Sequence, residues 1–174
     1  TGERDNFCVL RKSYRNTVEI ANFASDILAH GEFPGYGAEP VIRHGEAVGI
    51  RQTAGRDLYR EAAKICKGWQ TDGFDTIAVI CRDQKQAQET AELLQKELPV
   101  MPWDPEKASF EKGIMVFPVE YTKGLEFDAV LLLSPDRESY PTDDGHAKLL
   151  YVAATRALHR LEVLHTGNLT GLIA

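Results

Sequence analysis

The stretch TKGLEFD at residues 122–128 leads directly into the apolar run AVLLL at residues 129–133. A continuous apolar run of this length predicts a strand that is buried on both faces, as in a parallel sheet. A second run of the same kind, TIAVIC at residues 76–81, follows the turn residues Asp72 and Gly73. Buried strands that alternate with helical patterns favour an α/β domain, with helices on both faces of a mostly parallel sheet.

The rest of the chain continues this alternation of helices and strands. Helices are predicted where apolar residues recur at helical spacing, at residues 15–30, 56–69, 84–98 and 147–158. Further strands are predicted at residues 48–50, 113–117 and 161–165. Gly31 is expected to end the first helix and Asp83 to cap the third. Residues rich in Gly and Pro predict loops at 31–40, 99–105 and 134–146.

Length and charge are those of one ordinary domain. The 174 residues are 43% hydrophobic, which is enough for a normal core, so we expect a single domain over residues 1–174. The net charge of −6 argues against binding of phosphate backbone over the whole surface. A contact with nucleic acid is therefore expected at a local basic strip.

The cysteines, the lengths of the apolar runs and the first residues indicate the class of protein and its cellular location. Cys8, Cys66 and Cys81 have no short metal-ligand spacing, and we expect buried, reduced thiols and no bound metal in this segment. No apolar run approaches the roughly 20 residues of a membrane helix, and the first residues lack a signal pattern. We expect a cytoplasmic protein with no membrane contact. Because the chain begins without Met, we expect a piece of a longer protein.

The loop that precedes residues 129–133 contains candidate ligand-binding groups. It begins at the end of a predicted strand, and ligands of open α/β sheets bind outside the carboxyl ends of the strands. Gly124 would let backbone approach a phosphate or sugar, Lys123 offers a mobile cation, and Glu126 offers an acceptor for a ribose hydroxyl. The same residues also fit an ordinary strand connection, with a glycine turn and a solvated Lys and Glu.

Two further positions could bind phosphate or a base. Arg156 lies near the end of the last predicted helix, where a guanidinium can pair bidentately with phosphate oxygens. The alternative is a surface ion pair with a carboxylate, which stabilises little. Tyr14 and Arg15 open the first predicted helix, where the aromatic ring could stack on a base and the cation could touch a phosphate. Alternatively, Tyr14 packs under the helix and Arg15 is solvated.

As a set, these residues resemble the motifs of one helicase family. SYRNT at residues 13–17 is similar to its N-Y-R-S-T motif, and AVICR at 78–82 with the helix after it is similar to its next strand–helix block. KGLEF at 123–127 and LLYVAATRA at 149–157 are similar to its K-G-L-E-F and L-Y-V-A-x-T-R-A motifs. The chain thus resembles the C-terminal RecA-like motor domain (2A) of UvrD/Rep-type superfamily 1 helicases. This resemblance implies a three-layer RecA-like fold of the P-loop NTPase type.

The resemblance implies a role for each nucleotide-site residue in an ATP-dependent DNA helicase or translocase. Tyr14 would stack on adenine, and Arg15 would reach the γ-phosphate. Gly124 and Glu126 would line the nucleotide cleft, with Glu126 near the ribose. Arg156 would be the arginine finger, so that Arg156 and Arg15 are the expected catalytic residues.

The same resemblance implies contacts with single-stranded nucleic acid, expected to be DNA. Thr122 and Lys123 match family positions that touch its backbone. Their neighbours Glu120 and Tyr121 differ from the His-Ala-Ala that is usual in the family.

Two departures from the family pattern shape the functional expectation. No G-x-x-x-x-G-K-[ST] phosphate loop is found in the chain. We therefore expect ATP and Mg²⁺ to be held mainly by an N-terminal RecA-like domain of the same protein, and this chain alone to be inactive. In addition, only about forty residues separate Arg82 from Thr122, too few for the extra domain that many members insert there.

This compact arrangement is also similar to the HelD-type branch, which associates with RNA polymerase. An ATPase domain that acts on RNA polymerase is therefore the alternative function. A small-molecule domain of receiver or flavodoxin type is a third interpretation, but it would leave the motif set unexplained.

Overall fold

The structure is a computed structural model that describes residues 16–31, 43–102 and 112–173. The helices are α1 Val18–His30, α2 Leu58–Thr71, α3 Gln84–Leu94 and α4 Asp144–Thr155. The strands are β1 Gly49–Gln52, β2 Thr76–Cys81, β3 Met101–Pro102, β4 Gly113–Pro118, β5 Phe127–Leu133 and β6 Ala157–His165. Short 3₁₀ turns occupy Gly55–Asp57 and Val119–Tyr121. Within the described ranges, the helices are all too short or too polar to span a membrane.

The described strands form one six-stranded sheet in the order β1-β6-β5-β2-β4-β3. Every neighbouring pair is parallel, as the continuous apolar runs predicted. The two predicted buried strands, β2 and β5, lie side by side at the centre of the sheet.

The two faces of the sheet are covered by different helix pairs. Ala78 and Ile80 of β2 belong to the core under α1 and α4. Ile77 and Val79 point the other way, into the core under α2 and α3. This alternation follows from the two-residue period of a strand, and it gives the predicted three layers, helix–sheet–helix.

Helix caps explain several of the observed boundaries. Asp83 caps α3 as predicted, since its side chain accepts a hydrogen bond from Gln86 N at 2.8 Å. Gly31 ends α1 as predicted, but for another reason than a left-handed cap, because its φ is −88°. A Cβ at Gly31 would lie 2.3 Å from the Cβ of Ala147 in α4, so glycine lets the two helices pack closely.

Some predicted boundaries were wrong. Helix α3 ends at Leu94 and not at residue 98; residues 95–97 form turns, and Pro99 disfavours helical backbone at residue 98. Met101–Pro102 lies in the predicted loop 99–105 but pairs with β4 as an edge strand, a position in which proline is tolerated. Helix α4 ends at Thr155 and not at residue 158. Residues 157 and 158 instead begin β6. The pattern could not separate the two, because small and apolar residues fit a helix as well as a strand.

The connection from β4 to β5 crosses the sheet. Both strands are parallel to β2, which lies between them, so residues 119–126 must run from the carboxyl edge of the sheet back to its amino edge. Leu125 packs onto the core shared by α1 and α4, which places the crossing on that face. The expectation that this loop lies at the carboxyl edge is therefore right only for its beginning.

Candidate functional site

Two predicted motif segments meet at the amino edge of the sheet. Phe127 opens β5 and pairs with Ala157, which opens β6. The residues just before these two, Glu126 and Arg156, are thereby brought close together. Arg156 forms the junction between α4 and β6. A hydrogen bond from Phe127 N to Arg156 O, 2.8 Å long, joins this junction to the start of β5.

The guanidinium of Arg156 is held by three hydrogen bonds. Its Nε donates to Val152 O at 3.0 Å, its Nη1 to Leu125 O at 3.1 Å, and its Nη2 to Thr155 Oγ1 at 3.2 Å. The side chain is half-buried. Burial lowers the pKa of Arg156 below its ordinary value, while the nearby carboxylate of Glu126 opposes that change. An arginine remains charged under these conditions, so the site presents a fixed cation.

Gly124 occupies a turn that closes the same loop. Leu125 N donates to Thr122 O at 3.0 Å, and Gly124 has a φ of +84°, as the third residue of a type II turn requires. A Cβ at this position would meet no atom within 4 Å. The described structure therefore explains this glycine by its backbone conformation, and it leaves open space above the residue.

Glu126 lies between this turn and β5, and it is half-buried. Its carboxylate is close enough to Arg156 to stabilise the charged guanidinium. The amino edge of the sheet thus holds a cation, a carboxylate and an open glycine turn.

Thr122 and Lys123, the predicted nucleic-acid contacts, differ in accessibility. Thr122 is fully buried, and its hydroxyl donates to Val119 O at 2.7 Å within the 3₁₀ turn. Lys123 is exposed. Only Lys123 of this pair offers its side chain to solvent, while Thr122 supports the turn that presents it.

Tyr14 and Arg15 lie outside the described residues. The next residue, Asn16, is buried, and its Nδ2 donates to Thr155 O at 3.0 Å and also to Ala157 O. Asn16 of the first motif therefore lies at the same junction that holds Arg156.

Sequence reasoning missed an ion pair at the opposite, carboxyl edge. Arg82 follows β2 and Glu120 follows β4, and their side chains meet at 3.1 Å. Arg82 also donates to Ser139 O at 2.9 Å and lies 5.8 Å from the ring centre of Tyr140. A signal was available, because residues that follow neighbouring parallel strands lie close together.

A cleft of about 440 Å³ at the amino edge was also missed. Its lining includes His159, which stacks on Phe74 with ring centres 5.9 Å apart, and Arg160, which pairs with Asp72 at 3.2 Å. The guanidinium of Arg160 is therefore already paired with a carboxylate. In the part of the chain that the structure describes, no group of three or more His, Cys, Asp or Glu side chains could hold a metal ion.

Two comparisons with known proteins found similarity to this chain. Residues 113–164 match the family model of the UvrD-like helicase C-terminal domain, and this segment contains the motif loop and Arg156. The chain is also similar to the crystal structure of the C-terminal domain of a possible DNA helicase from Lactobacillus plantarum WCFS1, with a TM-score of 0.75 and 24% identity over 92% of each chain. At this identity the likeness shows the fold. No curated protein sequence matches the chain. The family match is thus confined to the segment that carries the motif loop and Arg156, and the structural likeness shows the shared fold.

Proposed function

We propose that this domain is the C-terminal half of an ATP-dependent DNA helicase or translocase. In this proposal ATP and Mg²⁺ are bound mainly by an N-terminal RecA-like domain of the same protein, which carries the phosphate loop. The present domain closes the nucleotide cleft from the other side and contacts single-stranded DNA. The family match over residues 113–164 supports the helicase assignment.

The single observation that carries the proposal is the fixed guanidinium of Arg156 beside the glycine turn. Its three hydrogen bonds use three of the five N–H groups of an arginine, and they leave one on each terminal nitrogen. Two such groups suit bidentate contact with phosphoryl oxygens. A guanidinium that is already in place stabilises charge that develops only in the transition state. For comparable enzymes this is worth about 10³–10⁵ in rate.

The neighbouring residues would then bind the rest of the nucleotide. Glu126 would accept a hydrogen bond from the ribose, and the open turn at Gly124 would admit the sugar or a phosphate. Tyr14 would stack on adenine, and Arg15 would reach the γ-phosphate as a second catalytic cation. The bond from Asn16 to Thr155 O supports this grouping, because Asn16 directly follows Arg15 in the sequence.

Contact with single-stranded DNA is proposed for the surface at Lys123, with Thr122 beneath it. The exposed ammonium of Lys123 can approach a phosphate, and the buried Thr122 keeps the turn in place. The overall charge of −6 requires such a contact to be local.

The test is ATP turnover by the longer protein that contains the phosphate loop. Changing Arg156→Ala should lower kcat by about 10³-fold or more and leave ATP binding largely intact. Arg51→Ala is the matched control, because Arg51 is an exposed arginine of β1 that pairs only loosely, at 3.8 Å, with Glu61. Near-normal turnover in the Arg156 variant would remove this residue from the reaction. Clear turnover by the 174-residue chain alone would refute the two-domain proposal.

A second candidate is an ATPase domain of HelD type that acts on RNA polymerase. The observation that favours it is the short path from Arg82 to Glu120, whose described part is filled by α3, β3 and β4 and closed by the ion pair. Stimulation of the ATPase by single-stranded DNA would support the helicase proposal. Tight binding to RNA polymerase without such stimulation would support the second candidate.

A further inference from the structure

Asn16 joins the end of the first motif to the end of α4. The residue is 1% exposed. Its Nδ2 donates to Thr155 O at 3.0 Å and also to Ala157 O, which lie 139 and 141 positions later in the chain. One side-chain amide thus binds the residues on both sides of Arg156.

The backbone around Arg156 needs partners of this kind. A helix leaves its last carbonyls without intrahelical partners. Here Arg156 alone separates α4 from β6, and its φ of −72° and ψ of −15° form no left-handed glycine cap. Asn16 binds the carbonyls of Thr155 and Ala157, and Phe127 N binds that of Arg156 at 2.8 Å. Three successive carbonyls are therefore held by two other segments of the chain.

The direction of the Arg156 side chain depends on this backbone. Its Nε and Nη1 donate to main-chain carbonyls, those of Val152 at 3.0 Å and Leu125 at 3.1 Å. A shift of the helix–strand junction would change both distances together. We propose that Asn16 is a positioning residue for Arg156, which fixes the junction so that the guanidinium keeps its place beside Leu125. This inference rests on the proposed function, in which Arg156 acts on the γ-phosphoryl group.

A second property of Asn16 favours positioning over a general role in the core. Its Oδ1 is buried and has no hydrogen-bond partner among the described residues. Among these residues the oxygen therefore contributes no hydrogen bond to stability. The two donated bonds are the benefit that this amide provides, and both end at the Arg156 junction.

Thr170 provides a matched control at a distance from this junction. It is also fully buried, and its hydroxyl donates to a main-chain carbonyl, that of Tyr140. Changing Thr170→Val removes this bond and also the bond that the same hydroxyl accepts from Leu172 N at 3.2 Å, and neither bond is connected to Arg156. Any effect shared by the Asn16 and Thr170 variants is therefore attributable to general destabilisation.

The first experiment follows the Nε–Hε signal of Arg156 by NMR in the ¹⁵N-labelled 174-residue chain. The signal is assigned by its loss in Arg156→Lys. In Asn16→Ala it should shift, and its hydrogen exchange should accelerate about tenfold or more, because the junction opens more often. Asn16→Ser keeps one donor and should give an intermediate exchange rate, which also provides a readout if the alanine variant fails to fold. A signal in either folded variant that matches the parent and Thr170→Val would overturn the proposal.

The second experiment measures ATP turnover in the longer protein with the phosphate loop. Asn16→Ala should lower kcat by about 10- to 100-fold, because small misplacements of a catalytic group cost this much. The KM for ATP should change less than about threefold, and Thr170→Val should leave both constants unchanged. Normal turnover in Arg156→Ala would sink the catalytic role of Arg156 in the proposed function. If ATP turnover is lost in Arg156→Ala but normal in Asn16→Ala, only the role of Asn16 is refuted.

Discussion

Replacing Gly124 by alanine should lower the free energy of unfolding by about 1 kcal/mol. The φ of +84° at this residue lies in the left-handed region, which costs an L-amino acid roughly 1–2 kcal/mol. Part of this cost is offset, because alanine also restricts the unfolded chain by about 0.4–1 kcal/mol relative to glycine. A steric clash adds nothing to this cost, since a Cβ at this position would meet no atom within 4 Å.

Gly68→Ala is the matched control for this prediction. Gly68 lies within α2, and a Cβ there would also meet no atom within 4 Å. In a helix interior, alanine is favoured over glycine by about 0.5–1 kcal/mol. The same added methyl group should therefore stabilise the chain at Gly68 and destabilise it at Gly124.

Urea denaturation of the two variants and the parent measures this difference. The variants should differ by about 2 kcal/mol in unfolding free energy, which corresponds to roughly 4–8 °C in Tm for a chain of this size. Gly124→Asn should fall between Gly124→Ala and the parent, because asparagine enters the left-handed region more readily. If Gly124→Ala were as stable as Gly68→Ala, the left-handed turn at this motif would be wrong.

Three further predictions follow from packing and charge. Gly31→Ala should destabilise the chain by about 1–3 kcal/mol, measured by urea denaturation, because its Cβ would lie 2.3 Å from an alanine side chain of α4. Burial raises the pKa of Cys66 and Cys81 to about 12, so neither thiol should react with a maleimide at neutral pH until urea unfolds the chain, as mass spectrometry would show. The hydrogen bond from His44 lowers the pKa of Glu19 from 4.5 to about 2, so its stabilising effect is complete above pH 4.5 and is lost as the pH falls towards 2. Glu19→Gln should flatten the stability–pH curve in that window, and an unchanged slope would contradict this assignment.

The buried strands could be predicted because their signal is local. The apolar runs at residues 76–81 and 129–133 are β2 and part of β5, and their continuity correctly predicted a parallel sheet. The Asp83 cap is local in the same sense, since the acceptor and the donor are three residues apart. The end of α4 is different, because residues 157 and 158 suit a helix as well as a strand. Only their pairing beside β5 decides between the two.

The geometry of the site could not be predicted, because it depends on strand order. The bond from Arg156 to Leu125 O spans 31 positions, and the bond from Asn16 to Thr155 O spans 139. Neither follows from spacing along the chain. Motif resemblance grouped these segments, but it did not indicate that the group lies at the amino edge, opposite the edge at which open α/β sheets usually bind ligands.

The crossing loop accounts for this reversal. Parallel strands are usually joined by a dozen or more residues that include a helix, yet residues 119–126 join β4 to β5 with only a 3₁₀ turn. The short path is sufficient because β2 alone lies between the two strands. The first half of the loop is fixed by the buried Thr122, and the second half is fixed by the hydrogen bond that Leu125 O accepts from Arg156. Lys123 lies between these two points and is exposed. Since both ends are fixed, the loop has little freedom to deform, and the five-residue motif KGLEF at 123–127 presents its lysine to solvent and its glutamate to the arginine at the amino edge.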